Sequence, residues 1–231
     1  MSKKDSDKKV EERVEGVEHA LTKAEQFLEN YQKQIIWAVG ILLAAVVLYL
    51  AFQRFYVEKK SVEAAEQMFP AERAYENEDW NRALDGDGNN PGFIEIIDDY
   101  AFTPSSRLAK YYAGICYLRL GDYEEAINYL SKFSSKDVIL SSMALGGIGD
   151  AYAELGETDK AVSSYKKAAN NRKNDFTSPL YLLRAGLLLE QQKEYKKAAE
   201  LYEIIRKEYP NSTEGRNISK YLTRVEIEQN K

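Results

Sequence analysis

Residues Ile35 to Phe52 read IIWAVGILLAAVVLYLAF, eighteen positions without a charged side chain. As a helix rising about 1.5 Å per residue, the run reaches about 27 Å, close to the hydrocarbon thickness of a bilayer. Tyr31, Trp37, Tyr49, Phe55 and Tyr56 lie near its ends, where aromatic rings favour the headgroup region, and Lys33 and Arg54 bound it. A buried core helix is the alternative, and an apolar face all the way round argues for the span. A single transmembrane helix over residues 35–57 is therefore expected. The exit Phe52-Gln53-Arg54-Phe55-Tyr56 is bulky and offers no small-residue cleavage site, which argues for an uncleaved anchor rather than a signal peptide.

Ahead of the anchor, residues 1–34 divide into a charged tail, MSKKDSDKK, and an amphipathic helix. Val10, Val14, Val17, Leu21, Ala24, Leu28, Tyr31 and Ile35 follow one another in alternating steps of four and three, which puts them on one helical stripe. Val10, Val14, Val17, Leu21 and Leu28 are the candidate membrane-proximal contact. The stripe suits the membrane surface, a neighbouring protein or a coiled coil of three or four heptads. Seven Lys/Arg precede the anchor (Lys3, Lys4, Lys8, Lys9, Arg13, Lys23, Lys33) and three follow within twenty residues (Arg54, Lys59, Lys60). The excess leans towards a cytoplasmic N-terminus, although the charges beside the membrane nearly balance.

Composition narrows the chemistry. The net charge is −5, with acids and bases interspersed, so no basic stripe is present for a nucleic-acid backbone. One cysteine, Cys116, and one histidine, His19, fall on opposite sides of the anchor, which leaves no Cys/His nucleophile pair, no internal disulfide and no histidine-based metal site. No enzyme activity, cofactor, metal or small-molecule substrate is expected. The insertion DGDGNNPG, residues 85–92, begins like a calcium loop. It then places Asn90 where the turn glycine belongs and Ile96 where the bidentate Glu belongs, so a surface loop is expected. Asn90-Pro91 reads as a cap and first helical position for the helix that follows. Upstream, Val62, Ala65, Met68 and Phe69 read as one side of a helix that Pro70 should kink or divide.

The remainder repeats. Ala113-Gly114, Ile148-Gly149 and Ala185-Gly186 recur at spacings of 35 and 37 residues, each three residues before Tyr117, Tyr152 and Leu189. Gly121 aligns with Gly156, Ala126 with Ala161 and Ala198, Leu130 with Tyr165 and Tyr202, and Pro210 closes the third unit. These residues resemble the tetratricopeptide repeat, a two-helix unit of about 34 residues. The fold expected is all-α: an N-terminal amphipathic helix and single transmembrane helix followed by a tetratricopeptide α-solenoid. Its parts are a degenerate first unit with the insertion over 58–104, three units over 105–211, and a capping helix over 212–231. Gly114 and Ala126 are small where two helices cross closely, and Gly121 and Gly156 suit a left-handed helix end; Lys193 replaces that glycine in the third unit.

In the repeat family the first helices line a concave groove. The resemblance carries that role to Leu108, Tyr111, Ile115 and Leu118, to Met143, Gly146 and Asp150, and to Leu180, Leu183, Leu187 and Glu190. The apolar members imply a surface for extended polypeptide, and the two acids imply a preference for basic residues. The lysines and asparagines of the family's carboxylate clamp are missing at these positions. Gly146, Gly147 and Gly149 serve either close helix packing or a deepened groove centre.

The layout, one early anchor followed by a C-terminal repeat array, is similar to that of the ancillary SecYEG translocon subunit family. That resemblance implies a single-pass inner-membrane protein with a cytoplasmic N-terminus and periplasmic repeats. It also implies protein partners: the Sec translocon, a membrane-anchored prolyl isomerase chaperone and emerging polypeptides. A cytosol-facing membrane receptor and a general membrane assembly scaffold are the alternatives.

Overall fold

The computed structural model describes residues 30–231. The stripe Val10, Val14, Val17, Leu21 and Leu28 lies outside the described residues. The chain divides into two compact units, Met1–Tyr56 and Val57–Lys231. Every regular element among the described residues is helical. In the first unit α1 covers residues 30–52, and no other part of the described chain covers its apolar run: Trp37, Leu43 and Leu48 are exposed at 73%, 59% and 70%. A π-helical turn, Gln53–Val57, follows it.

The second unit contains α2 (Glu58–Glu76), α3 (Trp80–Asp85), α4 (Phe93–Asp99), α5 (Pro104–Leu120), α6 (Tyr123–Ser131), α7 (Val138–Glu154), α8 (Thr158–Asn170), α9 (Thr177–Gln191), α10 (Tyr195–Glu208) and α11 (Thr213–Gln229). Sequential helices pack as antiparallel neighbours, α5 on α6, α7 on α8, α9 on α10, with α11 closing the row. The first helices α5, α7, α9 and α11 also touch one another in series, whereas α6, α8 and α10 do not. The first helices therefore make the inner layer of an α-solenoid and the second helices its outer layer.

One contact repeats in every pair. A Cβ built on Gly114 would lie 2.5 Å from Leu130 Cγ, one on Gly149 2.6 Å from Tyr165 Cδ1, and one on Gly186 2.3 Å from Tyr202 Cε1. Only a missing side chain lets the large residue of the second helix reach the backbone of the first. Leu130 and Tyr202 are fully buried, and Tyr165 nearly so. On α7 the other two glycines face elsewhere: Gly147 meets Leu130 of the preceding pair, and Gly146 meets the ring of Tyr181 on α9. All three glycines of α7 serve close packing, and none deepens a groove.

The turns from first to second helix share one backbone. Glu78, Gly121, Gly156 and Lys193 have φ of 58°, 85°, 74° and 61°, all left-handed. Each is followed by the acidic N-cap of the next helix, Asp79, Asp122, Glu157 or Glu194. Asp79 and Asp122 accept from the amides of Arg82 and Glu125.

Three local readings of the sequence change. Pro70 lies inside α2 without dividing it; the carbonyl it leaves unserved, that of Glu66, belongs to an exposed residue. Met68 does not share a side with Val62, Ala65 and Phe69. It is buried with Ala64, Ala71 and Ala74, while Val62 and Phe69 are exposed, because adjacent helical residues point about 100° apart. Helix α4 starts after Gly92 rather than at Asn90-Pro91. The Asn90 amide is committed to Asp87 (2.8 Å), and a Cβ at Gly92 would lie 2.0 Å from the Leu84 carbonyl oxygen. Asp87 organises the insertion: it accepts from the amides of Asn89 and Asn90 and pairs with Arg82 at 2.6 Å. Those backbone amides, with Arg82, hold its carboxyl down at about 2.

Lys193 occupies a conformation that costs a side-chain-bearing residue about 1–2 kcal/mol, against about 0.5–1 kcal/mol for the extra chain entropy of glycine. Lys193→Gly is expected to stabilise the repeat unit by about 0.5–1 kcal/mol, read as a rise in the denaturant midpoint. Gly149→Ala is expected to lower stability by about 1–3 kcal/mol through overpacking against Tyr165.

Candidate protein-binding surface

The residues expected to line a groove fall into three groups. Leu108, Ile115, Leu118, Leu180, Leu183 and Leu187 are half-buried on the inner layer, and Met143 is 37% exposed. Leu108 lines a cleft with Pro104, Phe133 and Leu140 at the start of α5, while Leu180 and Leu183 lean on the cluster around Tyr202 and Ile205. Tyr111 and Gly146 are not open to a partner. Tyr111 is buried with Leu130 and Ala144, its ring 5.4 Å from that of Phe133, and Tyr181 occupies the space at Gly146. Both residues are core.

The two acids form the third group, and neither carboxylate is free. Asp150 accepts a hydrogen bond from Tyr165 Oη at 2.6 Å and pairs with Arg184 of α9. Glu190 accepts from Tyr202 Oη and takes a two-pronged bond from Arg224 of α11, at 2.7 Å from Nε and 2.8 Å from the terminal nitrogen. Acid and arginine are 34 residues apart in both pairs. Each arginine also lies over a tyrosine one turn earlier on its own helix, Arg184 5.7 Å from the Tyr181 ring and Arg224 5.0 Å from that of Tyr221. The inner layer is thus stapled across successive units by an acid, an arginine, and a tyrosine from the intervening second helix. The expected preference for basic partner residues loses its basis, because both acids already hold a guanidinium.

The electrostatics follow from that closure. Burial raises the Tyr165 and Tyr202 hydroxyls, and the carboxylates of Asp150 and Glu190 that accept their hydrogen bonds raise them further. Burial works against the Arg184 charge, but Asp150 outweighs it and the net shift is upward. Sequence alignment of the units places Tyr165 and Tyr202 at one repeat position but does not single out Arg184 or Arg224, yet a signal exists: Tyr181-Leu182-Leu183-Arg184 recurs as Tyr221-Leu222-Thr223-Arg224.

Where α5 meets α7 the ladder is absent. A hollow opens there, lined by Leu118, Arg119 and Tyr123, by Asp150, Ala153 and Glu154, and by Tyr165 and Arg184 of the adjoining staple. Among the described residues no cluster of His, Cys, Asp and Glu could hold a metal ion. Cys116 is fully buried, and burial pushes its thiol up to about 12.

Tetratricopeptide repeat models match residues 108–137 and 147–213, which span α5–α6 and the second half of α7 through α10. No curated protein matches the chain. The repeats make this part of the molecule a scaffold for protein–protein interaction.

Two outcomes test the site chemistry. The Glu190 side chain is 12% exposed and that of Asp150 32%, so Glu190→Gln is expected to lower stability by about 1–2 kcal/mol and Asp150→Asn by less, read from denaturant midpoints. Burial both shuts reagent out from Cys116 and suppresses its thiolate. Maleimide labelling is therefore expected only as the repeat unit unfolds.

Proposed function

We propose that the chain is a membrane-anchored scaffold of the bacterial envelope, whose repeat unit holds extended or unfolded polypeptide along its inner layer. The observation that carries this reading is the pairing of an uncovered apolar helix, long enough to cross a bilayer, with a tetratricopeptide array on the same chain. A helix with Trp37, Leu43 and Leu48 in water would cost several kcal/mol in exposed apolar area, a cost that a bilayer removes. In the orientation favoured by the lysines before the anchor, the N-terminus is cytoplasmic and the repeats periplasmic. The layout supports a place beside the Sec translocon, together with a membrane-anchored prolyl isomerase chaperone and in reach of emerging polypeptides. The open apolar positions for such a client are Met143, Leu180, Leu183 and Leu187, with Leu108, Ile115 and Leu118 extending the surface towards α5.

Two measurements check this. Protease added to spheroplasts is expected to digest the repeats while leaving the membrane-embedded fragment; protected repeats would favour a cytosol-facing receptor. In the detergent-solubilised full chain, Met143→Glu with Leu187→Glu is expected to weaken capture of a reduced, unfolded envelope protein by about tenfold or more, in the range for interface hot spots. Unchanged capture with an unchanged melting curve would remove the inner layer as the site.

A further inference from the structure

A cleft of about 640 Å³ lies between the start of α5 and the α6–α7 turn, within the range of about 300–1,000 Å³ usual for binding sites. Leu108, Phe133 and Leu140, each half-buried, supply its apolar wall. Arg107 of α5 and Lys136 of the turn line it from separate elements, with Ser134 and Ser135 beside Lys136. The turn that forms one wall is held in place by its neighbours. The Phe133 ring stands 5.4 Å from that of Tyr111, and the Phe133 amide donates to the Leu130 carbonyl at 3.2 Å. Ser135 Oγ accepts from the Asp137 amide at 3.0 Å, and Arg172 of the α8–α9 turn donates to the Lys136 carbonyl.

The charge of the cleft is one-sided. Arg107 and Lys136 are exposed, and neither side chain has an ion-pair partner among the described residues. No carboxylate lines the cleft. The acid closest in sequence, Asp137, is engaged in capping α7, where it accepts from the Leu140 amide at 2.8 Å. With Asp137 counted against Arg107 and Lys136, the cleft and its rim still carry a net positive charge. Two further lysines of these turns are committed elsewhere: Lys132 lies 5.6 Å from the Tyr129 ring centroid, and Lys173 pairs with Glu208 at 3.1 Å. The contrast is with the inner-layer arginines Arg184 and Arg224, each of which already holds a carboxylate.

We infer that this cleft receives a stretch of client polypeptide in which an acidic residue stands next to a large apolar one. The apolar side chain rests on Leu108, Phe133 and Leu140, and the carboxylate meets Arg107 and Lys136. The inference rests on the inner-layer reading above and adds the chemistry of the client. Leu108 belongs both to the inner layer and to the cleft, so a chain lying along the one continues into the other. Charge complementarity selects the acid: two unpaired cations on separate elements offer a carboxylate charge-assisted hydrogen bonds that no group of this chain supplies. The exposed rim of Pro104, Arg107 and Ser134 suits a polymer that passes through rather than a small molecule closed off from water.

The test uses the detergent-solubilised full chain and end-blocked fluorescent peptides that alternate leucine and phenylalanine with glutamate, glutamine or lysine. Blocking the ends removes the terminal carboxylate, so only side-chain acids can answer. Anisotropy is expected to show the glutamate peptide binding roughly tenfold more tightly than the glutamine peptide, a preference that fades as salt rises from about 50 to about 500 mM. Arg107→Gln with Lys136→Gln should remove the preference without moving the melting curve. Arg107→Glu with Lys136→Glu should turn it towards the lysine peptide, which no structural role of these residues would produce. A preference that is absent from the wild type, or that survives the double glutamine variant, overturns the inference. If both peptides then bind equally and Met143→Glu with Leu187→Glu abolishes that binding, the inner-layer reading stands without the cleft. If neither peptide binds and the unfolded envelope protein is not captured, the inner-layer reading falls as well. Displacement of the glutamate peptide by octanoate at equal concentration would assign the cleft to a small anionic amphiphile, which also overturns the inference.

Discussion

The repeat unit depends on one close approach. In each helix pair a large side chain, Leu130, Tyr165 or Tyr202, is pressed against a glycine on the first helix at distances no Cβ could share. That contact fixes how near the two helices lie, and so fixes the angle at which each pair presents its inner face to the next. Everything built on the inner layer inherits the spacing. The guanidinium of Arg184 on α9 reaches Asp150 on α7, and that of Arg224 on α11 reaches Glu190 on α9. The tyrosines do double duty here. Their rings set the approach, and the hydroxyls of Tyr165 and Tyr202 end at the two carboxylates.

That arrangement gives the inner layer two regions. Between α7 and α11 the acids are closed on arginine and tyrosine, leaving leucines and the exposed Met143 on that face. Between α5 and α7 no arginine staple forms and a hollow takes its place. The layer thus passes from a stretch whose charges are paired to one where Arg119 and Glu154 line a hollow.

Much of this was legible in the sequence because it rests on local or periodic features. The apolar run, the recurring small residues and the capping helix each leave a pattern that sequence spacing preserves. The left-handed turns were legible at Gly121 and Gly156; Glu78 and Lys193 adopt the same backbone without announcing it. Carrying groove positions over by register went astray at Tyr111 and Gly146. Register says which face of α5 or α7 a residue occupies, but not that Phe133 and Tyr181 would come across to cover them. The ion-pair ladder was missed for a related reason. Its partners are 34 residues apart, and a single Asp or Glu on a helix face looks free until the next helix is placed beside it. Pro70 and the Asn90-Pro91 start show the opposite limit: a strong local rule yields when the segment is already held by its neighbours.

Helix α7 shows what such packing does to the behaviour of the array as a whole. With Gly146, Gly147 and Gly149 within one turn, α7 gives up about 2–3 kcal/mol of helix propensity relative to alanine. It cannot hold its shape alone. Each of those glycines admits a side chain from a different neighbour, Tyr181, Leu130 or Tyr165, so its stability comes almost wholly from interfaces. In a linear array, weak units joined by strong interfaces behave as one cooperative block, whereas self-sufficient units melt piecemeal. A central helix that is helical only when all three neighbours are docked suppresses half-folded arrays. The molecule then spends little time as a fragment with its leucines bare.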